Sequence, residues 1–211
     1  MNLRILLAVG LVTAVAFAAL AVGFFTRGDS SGGDSAASEG GVISQPSAFQ
    51  GAKIPAGVKA PDFTLTDESG EPITMRQFRG KPVIVTFLYT HCEDTCPIQA
   101  QTVRGALDEL GHDVPALAIA VDPPNDTPRS ARKFLAEQRV SGRLDFVLGS
   151  RAELRPLWNG FGVQPQRVTE EHNARITLVD ARGIQRVGYP GSEATPERLA
   201  HDLALLEREA G

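Results

Sequence analysis

Residues 83–97 restrict the chain to a narrow choice of folds. Val83 to Leu88 is an apolar, β-branched run of strand length, and Ile98 to Leu110 reads as a helix. Between them lies Tyr89-Thr90-His91-Cys92-Glu93-Asp94-Thr95-Cys96-Pro97, which holds the protein's only two cysteines. A buried strand feeding a helix through a short turn is the unit of an α/β fold, and the carboxyl end of such a strand is where ligands and chemistry are usually placed. Once the turn begins to coil, cysteines four residues apart share one face and can close on a single object, a soft metal ion or an S–S bond.

The elements around this turn predict a mixed sheet flanked by helices. Asp62 to Thr66 and Pro72 to Thr74, separated by turn residues, read as an N-terminal β-hairpin. After the thiol motif a helix ends at Gly111, and Ala116 to Val121 is a strand. Asp122 to Pro128 is a proline-rich loop closing on Thr127 as helix cap, with the helix running to about Arg139. A strand near Leu144 to Leu148, a capped helix from Ser150 to Trp158, an irregular stretch from Gly160 to Glu171, strands Arg175 to Asp180 and Ile184 to Tyr189, and an amphipathic helix from Thr195 to Glu209 complete the chain. Two cysteines are too few for a disulfide scaffold, so the fold rests on its apolar core, for which 42% hydrophobic content suffices.

Ahead of this domain the sequence changes character. Ile5 to Phe25 is an apolar run long enough to span a bilayer, so residues 1–27 are expected to form an N-terminal membrane anchor with a single transmembrane helix. Ala16, Ala18 and Ala19 leave a cleavage site open, although the run is longer than a cleavable signal needs. Arg4 favours an N-terminus inside, which predicts an inner (cytoplasmic) membrane location with the globular domain periplasmic or otherwise extracytoplasmic, in an oxidising space. Residues 28–47, rich in Gly, Ser and Ala, read as a flexible linker, and residues 48–211 as one domain. A net charge of −4 without any run of Lys or Arg excludes nucleic acid and a polybasic lipid-binding face as first-choice partners.

Of four histidines, His172 bears most on chemistry. It precedes the strand Arg175 to Asp180, whose start is expected beside the end of Val83 to Leu88. Two thiolates and one imidazole form a three-coordinate soft site suited to Cu(I), or a zinc site completed by water. His91 adjoins the site and is expected to point away from it or tune charge, His112 to be exposed, and His201 to sit at a helix surface. Asp94 is a candidate helix cap or loop-ordering group. Asp122 and Asp126 read as turn and capping residues, and Trp158 and Phe161 as core or as packing under the loop that carries His172.

The thiol motif, Val121-Asp122-Pro123 with Asp126-Thr127-Pro128, and His172 before Leu178-Val179-Asp180 together resemble the Sco/SenC family, from roughly Pro61 to the C-terminus. The resemblance implies a membrane-tethered, thioredoxin-like copper chaperone for cytochrome c oxidase. It also implies Cys92, Cys96 and His172 as the ligands of copper, as Cu(I) or Cu(II). The implied partners are the oxidase subunit carrying the dinuclear copper centre and other copper carriers or thiol reductants. Two departures from the family pattern stand beside the ligands: Glu93 replaces a common Pro, and Glu171 a common Asp. A disulfide cannot hold Cu(I), so Cys92 and Cys96 are implied to be a redox-active pair as well as a metal clip.

Other roles use the same frame. A thiol-disulfide oxidoreductase would more commonly have a two-residue spacer and a proline directly before Ile176, where Arg175 stands. A thiol peroxidase would need an activating Arg, which residues 89–97 lack. A redox or copper sensor would keep the metal site without the oxidase as client.

Overall fold

β4 (Val83–Leu88) is buried at every residue, which only a central strand covered on both faces can be. The computed structural model describes residues 48–164, 175–191 and 193–211, all within the unit Ser44–Gly211. Residues 1–27, 28–47 and His172 lie outside the described residues. Among the described residues no helix is long and apolar enough to cross a membrane.

The described residues form β1 (Ala52–Lys53), β2 (Thr64–Thr66), β3 (Pro72–Thr74), a 3-10 turn (Met75–Phe78), β4, α1 (Thr95–Leu110), β5 (Ala116–Ala120), α2 (Pro128–Glu137), β6 (Asp145–Val147), α3 (Arg151–Gly160), β7 (Arg175–Val179), β8 (Gln185–Pro190) and α4 (Pro196–Ala210). The main sheet runs β1-β8-β7-β4-β5-β6, and β2 with β3 makes a separate hairpin. β4, β5 and β6 are parallel, whereas β7 is antiparallel to β4, and β8 and β1 are antiparallel in turn. This is the mixed, helix-flanked sheet of the thioredoxin-like fold that the sequence predicts.

Strand alternation divides β4 between the two layers. Thr86 reaches α1, donating from Oγ1 to Gln99 Oε1 at 2.7 Å. Phe87 points the other way, its ring 5.4 Å from that of Phe161 just after α3. Trp158 and Phe161 are core residues, and Trp158 Nε1 donates to Ala120 O at 2.9 Å, fixing α3 to the end of β5. The caps read from the sequence are present: Thr127 with Ser130 opens α2, Ser150 with Glu153 opens α3, and Gly111 closes α1 at φ 75°.

Three elements differ from expectation. α1 starts at Thr95, one turn early, so Cys96 belongs to its first turn. α2 stops at Glu137, and Arg139 adopts φ 57°, a left-handed conformation that ends the helix. β1 has no apolar alternation, both residues being exposed. The lead into it is held instead by Asp202 of α4, buried completely, whose oxygens accept from the amides of Gln50 at 2.8 Å and Gly51 at 3.0 Å and from the hydroxyl of Tyr189.

α1 and α4 pack against each other. Gly105 permits the contact, since a Cβ there would lie 2.8 Å from Pro196 Cγ. In an open helix Gly→Ala gains about 1 kcal/mol; here the rigid proline ring reverses the sign. Gly105→Ala is expected to lower stability by about 1–3 kcal/mol through overpacking, read from urea denaturation. A gain would show that the helices separate without penalty.

Candidate thiol site

The carboxyl end of β4 lies between the end of β5 and the start of β7, because β5 runs parallel to it and β7 antiparallel. Val121 N donates to Leu88 O at 3.1 Å as the two parallel strands end. The chain then turns tightly, with Cys92 N donating to Tyr89 O at 3.3 Å, and enters α1.

The first amides of a helix have no intrahelical acceptor. One of them, Cys96 N–H, donates to Cys92 Sγ at 3.2 Å, and Thr95 Oγ1 lies 3.6 Å from the same sulfur. Cys92 thereby does what is expected of Asp94, whose backbone (φ −112°, ψ −82°) occupies the cap position while its side chain makes no capping bond.

The two thiols are free and unequal. Cys92 is 8% exposed and Cys96 fully buried. The Cys96 thiol as hydrogen-bond partner, then the Cys96 amide, Thr95 hydroxyl and Asp94 amide, hold Cys92 well below the ordinary thiol range against the opposing effect of burial. The same contact and burial push Cys96 up. Of the two, the outer sulfur is the one that gives up its proton more readily.

Around Cys92 the surface carries His91, Glu93, Asp94 and Thr95, all exposed, and Ile98, a large apolar side chain 61% exposed. His91 Nδ1 lies 3.1 Å from Thr90 Oγ1. Among the described residues no group of three or more His, Cys, Asp or Glu side chains is arranged to hold a metal, so His91 and Asp94 do not complete a site with the cysteines. His112 pairs with Glu207 at 2.8 Å and His201 with Asp202 at 2.9 Å.

Asp122 is the turn residue expected, accepting from Asn125 Nδ2 at 2.8 Å. Asp126 is not a cap, since Thr127 fills that role. Only 6% exposed, it accepts from Thr90 N at 2.8 Å and Asp122 N at 3.0 Å, joining the thiol turn to the loop after β5. Burial pushes its carboxyl up to about 6. Gln99 is a further residue that the sequence pattern does not single out; it follows Cys96 by nearly one turn on the buried face, and its Nε2 finds no hydrogen-bond partner among the described residues. Its only sequence signal is a polar residue at an inward position of α1.

Two outcomes follow from these environments. Iodoacetamide is expected to alkylate Cys92 of the reduced protein at least about tenfold faster than Cys96, as resolved by peptide mass spectrometry; equal rates would remove the inequality. The folded state holds the Asp126 proton more tightly than the unfolded chain does. That contribution is full below about pH 4 and is lost as pH rises through about 6, a change of roughly 3 kcal/mol. Urea denaturation across this window should therefore show wild type losing stability relative to Asp126→Asn as pH rises, and a constant difference would contradict the burial of an ionising group.

Comparisons with known proteins identify the family. The SCO1/SenC family model matches residues 52–207. Protein SenC of Rhodobacter capsulatus is 30% identical over 155 residues, covering 68% of this chain and 68% of that protein. Peroxiredoxin Q of Populus jackii is 27% identical over 160 residues, covering 74% and 70%. Among solved structures, Bradyrhizobium japonicum ScoI with copper bound is 29% identical with a TM-score of 0.57, covering 70% of this chain and 99% of that one. BsSco, a member of the Sco family of cytochrome c oxidase assembly proteins in which a disulfide switch was identified, has a TM-score of 0.65 at 24% identity, covering 75% and 98%. With three quarters of its length matched by the family model and its thiol turn at the end of a central β4, the chain belongs to the SCO1/SenC family.

Proposed function

We propose that this protein binds copper through Cys92, Cys96 and His172 and serves assembly of the copper-bearing subunit of cytochrome c oxidase, by delivering the metal or by reducing the subunit's cysteines. The observation that carries the reading is the pair of free thiols at the β4–α1 junction, one sulfur already negative in character and the other within its hydrogen-bonding reach. Thiolates are the donors that soft Cu(I) selects. The relative solved with copper bound supports the same cargo.

The third donor has to come from beyond the described residues, and His172 is the candidate by chain reach. It stands three residues before Arg175, within the roughly 10 Å that three residues of chain can span. Arg175 opens β7 beside the end of β4, its carbonyl 3.4 Å from Thr86 Oγ1. Copper is cargo here, held while the pair is reduced and excluded when Cys92 and Cys96 form a disulfide. Residues 1–27 are proposed to anchor the domain outside the cytoplasm, where such a client is exposed to oxidation.

The test is copper stoichiometry with K-edge X-ray absorption on the reduced full chain and on His172→Ala. One Cu(I) per chain with two sulfur donors and one nitrogen, the nitrogen absent in the variant, is the expected result. Wild type that retains no copper would sink the reading. The peroxiredoxin relative favours thiol peroxidase chemistry as the second reading; consumption of hydrogen peroxide by the metal-free reduced protein, lost in Cys92→Ser, would establish it instead.

A further inference from the structure

A carboxylate taken out of water destabilises a fold unless its partners compensate, and such groups persist where position matters more than stability. Asp126 has no capping duty, because Thr127 accepts the amide of Ser130 at the start of α2. Its two oxygens go to amides on two different loops. Oδ1 takes Thr90 N–H, two residues before Cys92, and Oδ2 takes Asp122 N–H, two residues after β5. The bond from Val121 N to Leu88 O is the rung just before these loops diverge, so the carboxylate continues the β4–β5 connection one step past the strands.

We propose that Asp126 is a positioning residue for Cys92: by holding the Thr90 amide to the loop after β5, it fixes the turn that places the outer sulfur on the Cys96 amide in the first turn of α1. The proposal rests on reading the thiol pair as the working site. It predicts that the reactivity of Cys92 depends on a residue distant in sequence that touches neither sulfur.

A carboxamide at this place accepts with one oxygen only and presents N–H to the second amide. Asp126→Asn therefore releases one of the two loops. In the reduced full chain at neutral pH, Asp126→Asn is expected to slow iodoacetamide alkylation of Cys92 about fivefold or more and to speed hydrogen exchange of the Thr90 amide about tenfold or more. Asp202→Asn is the control: a fully buried carboxylate gripping the amides of Gln50 and Gly51 at the sheet edge, whose loss lowers stability while leaving both rates within about twofold. Wild-type rates in Asp126→Asn, or an equal slowing in Asp202→Asn, overturn the proposal. Should Asp126→Asn fail to fold, the wild type decides, because a Thr90 amide exchanging as fast as an exposed loop is incompatible with the clamp. A wild-type chain that takes up no copper defeats the proposed function without moving these rates.

Discussion

The hydrogen bond from the Cys96 amide to Cys92 Sγ is the contact on which the working end of this molecule depends. β4 must stop pairing and α1 must begin after only a short turn, and the first turn of any helix leaves donors unmatched. Here a sulfur accepts one of them. The arrangement joins helix initiation to thiol chemistry, since an amide in the first turn of α1 also stabilises negative charge on Cys92. A carboxylate cap at Asp94 would have satisfied the helix as well and withdrawn this amide from the sulfur.

That economy explains why the two cysteines differ although they are four residues apart. Cys96 is fully buried in the first turn of α1 and holds its proton more tightly, while Cys92 stays slightly exposed and is followed in the chain by exposed Glu93 and Asp94. Anything that exchanges with the pair meets Cys92 first. Closing an S–S bond would withdraw Cys92 Sγ as a free acceptor, so oxidation of the pair acts on the helix start as well as on the thiols.

The parts of the fold governed by local pattern were legible in the sequence. The apolar run of β4, the Thr127 and Ser150 caps and the Gly111 stop each carry their information within a few residues, and the structure places them as read. What was not legible depends on pairs far apart in the chain. β1 has no pattern of its own and exists because Asp202, 152 residues beyond Gln50, holds the chain ahead of it. Asp126 looks like a capping residue because it stands beside Thr127 and Pro128; its partner amide belongs to Thr90, 36 residues earlier. Asp94 failed as a cap for the opposite reason, a local expectation displaced by a sulfur that composition-based preferences do not count as an acceptor.

The grip of Asp202 on Gln50 and Gly51 also has a mechanical meaning. Tension applied to the chain ahead of Phe49 reaches α4 and the two-residue edge strand first, and β8 and β7 lie between that edge and β4. The load is thus taken up at the border of the sheet, with two strands between it and the strand that leads into the turn bearing Cys92.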